Sequence, residues 1–166
     1  MTVERSTRRV AAARIGRVAR SLLAASELCA IATVTSKGGA YVNTAYFAWA
    51  PDLRIVWLSD AAASHSRNLR ANPSAAVAVY DSTQRWGKPD RGIQLFGTAR
   101  EAAGDAAEIY AKRFPEYEDG RYRRYELRPR RIKLFDEREL GAGVFVTARV
   151  ARDGQVSWER TDVYRQ

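Results

Sequence analysis

Three short runs rich in β-branched and aromatic residues follow one another through turns too tight for a crossover. They are residues 29–35 (CAIATVT), 40–49 (AYVNTAYFAW) and 54–59 (RIVWLS). Ser36-Lys37-Gly38-Gly39 joins the first two, its glycines supplying the positive φ of a tight hairpin, and Pro51-Asp52 breaks the second from the third. Strands joined this closely are antiparallel, because a parallel pair needs a long crossover. Further strand-like runs are expected at 75–80, 92–101, 125–127 and 131–136 (interrupted at Pro129), and at 144–150 and 155–159 around Arg152-Asp153-Gly154. Gly97 suggests a bulge or bend in its strand. Helices are expected over about 6–25, 64–71 and 105–114, the last ending before Pro115. With no βαβ alternation, a parallel doubly wound sheet is not expected. A closed or nearly closed antiparallel barrel with peripheral helices fits best, because closure removes exposed edges.

Composition narrows the class. The 166 residues suit one domain, and 46% hydrophobic content supports a core. No apolar run approaches the ~20 residues of a membrane span. The only cysteine, Cys29, lies in an apolar strand and is expected to be a small buried hydrophobe, so no internal disulfide forms and a cytoplasmic location fits. The Arg-rich, nearly acid-free stretch 5–20 mimics a transit peptide, but the spacing of Val10, Ile15, Val18 and Leu22 reads as an amphipathic helix. A net charge of +9 invites a nucleic-acid reading, strongest at 121–131 with Tyr122 and Tyr125. No helix-turn-helix, zinc-ligand or RNA-binding strand pattern accompanies it, and a solvated arginine-biased face is the better reading.

The stretch 57–73 (WLSDAAASHSRNLRANP) carries most of the chemistry. It reads as a strand end, a small-residue turn, a helix opened by Ser64 as its cap, and a stop at Asn72-Pro73. The free N–H groups of a helix start favour an anion, and Ser59, Ser64, the sole histidine His65, and Arg67 crowd donors there, which suits a phosphate. Asn43 stands mid-strand, where its amide needs partners: a planar heterocycle or a cross-strand side chain would supply them. Gln94 is expected to share a face with Gly92 and Phe96, with Gly92 leaving room for a flat ligand. A Ser–His–acid arrangement from Ser64, His65 and Asp60 is disfavoured because neighbours on one helical turn do not line up. One His and one Cys make no metal site, and no Rossmann or P-loop glycine motif is present.

The order of Arg54–Ser59, Ser64-His65-Ser66-Arg67-Asn68-Leu69 with Asn72-Pro73, Ala75–Tyr80 and Arg91-Gly92-Ile93-Gln94-Leu95-Phe96-Gly97-Thr98-Ala99 resembles the pyridoxamine 5'-phosphate oxidase-like FMN-binding split-barrel superfamily. The likeness spans roughly residues 28–136. It implies a mainly β, split antiparallel barrel in a single domain, with an N-terminal helix at 1–26, the barrel core at 28–136 and a C-terminal hairpin at 137–166. It further implies a homodimer with FMN at each side of the interface. The implied cofactor-binding residues are Asn43, Thr44, Ala45 and Tyr46 along the ring, Ser59, Ser64, His65, Arg67 and Asn68 around the ribityl chain and phosphate, and Gln94 approaching the ring. The chain departs from the family where a lysine usually meets the phosphate: His65 stands there, its charge conditional, and Arg67 supplies a permanent one.

The resemblance implies an FMN-dependent oxidoreductase acting on a small organic substrate, with NAD(P)H a candidate electron donor. Tyr46 is a weak proton-donor candidate, and no catalytic residue is assigned. A deazaflavin-dependent reductase and a non-catalytic flavin-binding or sensor protein are the alternatives. The family's residues for the B6 substrate find no match near the C-terminus, so vitamin B6 oxidation itself is not expected. The loop Leu140-Gly141-Ala142-Gly143 is read as a plain turn.

Overall fold

The computed structural model describes residues 2–117 and 120–165. In chain order the elements are β1 (Thr2–Ser6), α1 (Ala12–Ala24), β2 (Leu28–Val34), β3 (Ala40–Trp49), β4 (Ile55–Ser59), α2 (Ser64–Ala71), β5 (Ser74–Tyr80), β6 (Arg91–Glu101), α3 (Ala106–Arg113), β7 (Arg123–Asp136), α4 (Glu137–Leu140), β8 (Val144–Val150) and β9 (Val156–Arg165). All pairings are antiparallel. Strands β7-β4-β3-β2-β5-β6 close into a six-stranded barrel through the β6–β7 pairing, and β8, β9 and β1 extend from β7 as a flap. The expected mainly β antiparallel barrel is the observed fold.

Alternation sorts the side chains. Ile31, Ile55, Trp57, Val77, Ile93, Leu95, Tyr125 and Leu127 fill the interior, where Trp57 stacks on Tyr125 at 6.0 Å between ring centroids. Helix α1 lays Ile15, Val18, Leu22 and Leu23 into the same core. Each such buried side chain contributes roughly 1.5–3 kcal/mol, which accounts for a helix that carries no side-chain cap. Cys29 is buried among them, and burial pushes its thiol up to about 12, as befits a small hydrophobe. On the outside of β3 and β4, α3 packs Ala106 and Tyr110 over Ala48 and Val56. Among the described residues no helix is long and apolar enough to cross a membrane.

Four expectations need correction. The first helix does not begin at residue 6. Residues 2–6 form edge strand β1 on β9, and the chain is pegged there by Thr161 Oγ1 donating to the Arg8 carbonyl at 2.8 Å. An exposed edge strand buries no face, so it leaves no periodicity to read. Second, β7 runs unbroken through Pro129. The proline sits opposite Gly97 at a register shift, where no ladder N–H is needed. Gly97 is the bulge its sequence suggested, and a Cβ there would lie 2.0 Å from the Arg128 carbonyl oxygen. Third, Leu140 of the expected turn ends a short helix, α4, capped by Asp136 accepting from the Arg138 and Glu139 N–H groups, while residues 141–143 turn as expected. Fourth, β9 extends to Arg165, beyond the expected end at 159, because β1 and β8 flank it on both edges.

A candidate anion site at the start of helix α2

Strand β4 delivers Ser59, buried, to the interior end of its ladder. The chain turns through Asp60, whose Oδ1 accepts from the Ala62 N–H at 2.8 Å while its carbonyl accepts from Ala63 N–H at 3.0 Å. Helix α2 follows, but Ser64 is not its cap. Ala63 holds that position, extended, with no side chain bonded to the first turn. The first acceptor is Ala63's carbonyl, taken by the Arg67 N–H; the N–H groups of Ser64, His65 and Ser66 meet no acceptor among the described residues. A helix start left open in this way carries partial positive charge and free donors. Ser64 was expected as the cap because its residue type fits that role; one more extended residue in the turn moves it into the helix.

The side chains around this end divide by task. Arg67, exposed, folds back so that its guanidinium donates to the Ala62 carbonyl and, at 3.2 Å, to Ser64 Oγ. His65 turns inward, its Nε2 2.6 Å from Ser59 Oγ, and Ser66 Oγ donates to the same Ser59 oxygen at 3.1 Å. Ser59 Oγ also bonds the Asp60 carbonyl at 3.2 Å. A hydroxyl has one proton, so all three contacts are satisfied together when Ser59 donates to Asp60 and accepts from Ser66 and from an Nε2–H of His65. Burial holds the His65 pKa below its usual 6.5, so the ring is neutral at neutral pH. Two conclusions follow. His65 brings no charge to an anion at the helix start, and Ser59 Oγ is buried among His65, Ser66 and the Asp60 carbonyl rather than presented at the surface. Ser66 was not singled out from the sequence, although its spacing of seven from Ser59 becomes meaningful once α2 folds back along β4's end.

The remaining expected residues fall into two groups on opposite faces of the sheet. Asn43 and Ala45 face inward, opposite Ile31 and Cys29. Asn43 Oδ1 is buried with no hydrogen-bond partner, whereas Asn68 anchors α2 to β2 by donating to Thr33 Oγ1 at 3.1 Å. Thr44, Tyr46 and Gln94 face outward. Thr44, Ala30, Ala78 and Gln94 form one row across β3, β2, β5 and β6, so Thr44 and Gln94 stand three strand spacings, about 14 Å, apart. Two shallow pockets of about 300 and 250 Å³ flank Tyr80 on this face, one lined by Thr44 and Tyr46, the other by Gln94 and Phe135. Gly92 does not leave room for a flat ligand: a Cβ there would lie 2.7 Å from the Phe135 ring, which covers it across the β6–β7 ladder. The chain alone therefore unites Ser59, Ser64, His65, Arg67 and Asn68 around α2, with Asn43 and Ala45 on the sheet face beneath, and separates Thr44, Tyr46 and Gln94 from them. Among the described residues no cluster of three or more His, Cys, Asp or Glu could hold a metal.

A closed antiparallel barrel with an open helix start between β4 and β5 defines a split-barrel protein. The family model described as pyridoxamine 5'-phosphate oxidase matches residues 15–136, from α1 to the end of β7, and the chain belongs to that family. No curated protein matches the chain. Similar solved structures include a heme binding protein from Mycobacterium smegmatis, at 22% identity and a TM-score of 0.66 over 86% of this chain and 60% of that one. A protein of unknown function from Agrobacterium tumefaciens aligns at 21% identity and a TM-score of 0.61, over 76% of this chain and 59% of its own. This chain thus spans about six tenths of the length of both. A pyridoxamine 5'-phosphate oxidase-related, FMN binding protein from Nostoc punctiforme aligns at 14% identity and a TM-score of 0.59, over 89% of this chain and 93% of that one.

Proposed function

We propose that this chain is an FMN-dependent oxidoreductase acting, as a homodimer, on a small organic substrate. The observation that carries the reading is the open first turn of α2, with three free N–H groups, the Ser64 hydroxyl and the permanent charge of Arg67 beside them. That donor set fits a phosphate monoester. His65 contributes its backbone N–H and, through Ser59, holds the turn in shape. The orphaned Asn43 Oδ1, on the sheet face to which α2 is tied, supplies an acceptor for a ring N–H. When bound, FMN supplies hydride or electron transfer at its ring; the residues here bind and orient it.

The outward face favours the homodimer. Leu28, Val42, Tyr46, Tyr80 and Phe96 are exposed around a flat floor of Ala30, Ala32, Ala76 and Ala78, a contiguous apolar surface of the kind a partner covers. Thr44, Tyr46 and Gln94 then meet the second copy. Heme, which the similar mycobacterial protein binds, would find no free imidazole here, since the only histidine is bonded to Ser59.

The absorption spectrum of the purified protein, with mass spectrometry of the molecule it carries, tests the reading. Bands of oxidised flavin that bleach with NAD(P)H and recover with an acceptor support it. A colourless protein that takes up a deazaflavin assigns the reductase alternative, and a flavin that never turns over assigns a sensor.

A further inference from the structure

A second charged cleft lies at the other end of α2, and the flavin reading does not use it. It forms where β7 changes partners. Pairing with β4 ends at Leu127 and pairing with β8 begins at Arg131, so the residues between have no neighbour on that edge. On the opposite edge the register steps from Phe96↔Arg131 to Gly97↔Pro129, which leaves Arg130 as the extra, unpaired residue of the bulge. The tip of the β8–β9 hairpin closes one side: a Cβ on Gly154 would lie 2.3 Å from the Asp52 Cα, so the tip sits directly on the turn before β4. The resulting cleft is about 720 Å³, within the range of small-molecule sites.

Arginines line it in excess. Glu126, whose side chain is 2% exposed, holds Arg54 at 3.3 Å, Arg128 at 2.8 Å and Arg100 at 3.6 Å. Arg54 is further tied to Asp52 and Asp105, both at 2.7 Å. The buried carboxylate thus accepts a hydrogen bond from Arg128 and draws the more exposed Arg100 toward it at longer range, and both arginines line the cleft. Arg130 and Arg152 also line the cleft, are exposed, and make no ion pair or hydrogen bond among the described residues. Five guanidinium groups against the three carboxylates Asp52, Asp105 and Glu126 leave a local excess of positive charge. Guanidinium forks match phosphate oxygens in pairs. Pro73, Ala99, Pro129, Val150 and Ala151 supply an apolar wall, and the volume exceeds what inorganic phosphate fills.

We propose that this cleft is a second binding site, taking the diphosphate group of a phosphorylated small organic molecule, with Arg130 and Arg152 as the residues that grip it and Arg100 and Arg128 as supports. Isothermal titration calorimetry of the full chain with inorganic pyrophosphate and with ADP tests this. The expected result is saturable binding that weakens with salt, is weakened about tenfold or more in Arg130→Ala/Arg152→Ala, and is retained in Arg67→Ala. Because neither arginine has a partner, the double variant should melt with the wild type. ADP should bind at least as tightly as pyrophosphate, since only it reaches the apolar wall. Absence of saturable binding, equal affinity in the double variant, or loss of binding in Arg67→Ala overturns the proposal, the last by placing the anion at the start of α2. Duplex DNA that displaces ADP and depends on the same two arginines would also overturn it, assigning a nucleic-acid surface instead.

Discussion

Ser59 Oγ and His65 Nε2 lie 2.6 Å apart, joining the end of β4 to the first turn of α2. The bond turns the only imidazole of the chain away from the open helix end and into the barrel wall. Histidine thereby becomes a brace for the turn, and the charge available to an anion there belongs to Arg67.

Because burial lowers the His65 pKa, the unfolded chain binds a proton more readily than the folded one. The stabilisation from the neutral ring is complete above the unfolded value of 6.5 and is lost as pH falls through the folded value. Urea denaturation of wild type and His65→Gln should show the wild type losing more stability from about pH 7 to about pH 5. Parallel pH profiles would show that His65 is not buried in its neutral form.

Gly97→Ala places a methyl group 2.0 Å from the Arg128 carbonyl oxygen, a backbone atom that moves only if the β6–β7 crossing moves. The variant should lose about 3 kcal/mol in chemical denaturation. A loss below about 0.5 kcal/mol would mean that the crossing is looser than described.

Glu126→Gln removes a buried charge that faces three guanidinium groups. Arg54 retains Asp52 and Asp105, so the cost falls chiefly on Arg128 and on the repulsion between the arginines. A loss of about 1 kcal/mol is expected in urea denaturation, because Arg128 and Arg100 are half-exposed or more and stay hydrated when the carboxylate is neutralised. A neutral or stabilising substitution would show the arginines to be solvated independently of Glu126.

Ala78→Arg puts a charge in the middle of the outward apolar face without touching the core side of β5. Sedimentation velocity should show a dimeric wild type and a monomeric, folded variant. A wild type that sediments as a monomer would remove the homodimer from the proposal.

The barrel was legible because hairpin turns and alternating strands are local signals: 36–39 and 51–52 both turn the chain where they were expected to, and Gly97 marks the bulge. The parts that were not legible depend on distant partners. Strand β1 exists because β9, at the far end of the chain, offers an edge, and Phe135 fills the space above Gly92 from a strand that only the closed barrel brings alongside. At the candidate site, residue types pointed to the right segment but not to the direction each side chain takes. Nothing within residues 64–68 says that His65 turns toward Ser59 while Arg67 stays outside; the packing of α2 against β2 decides it. The arginine cleft was hidden for the same reason: its members come from β6, β7, the turn before β4 and the β8–β9 hairpin.

The most direct measurement is a fluorescence titration of cofactor-free protein with FMN and, separately, with riboflavin, which lacks the phosphate. FMN should bind at least about tenfold more tightly than riboflavin, and Arg67→Ala should erase most of that difference while leaving riboflavin affinity unchanged. Equal affinity for the two ligands, or an FMN preference that survives Arg67→Ala intact, would contradict a phosphate seat at the start of α2.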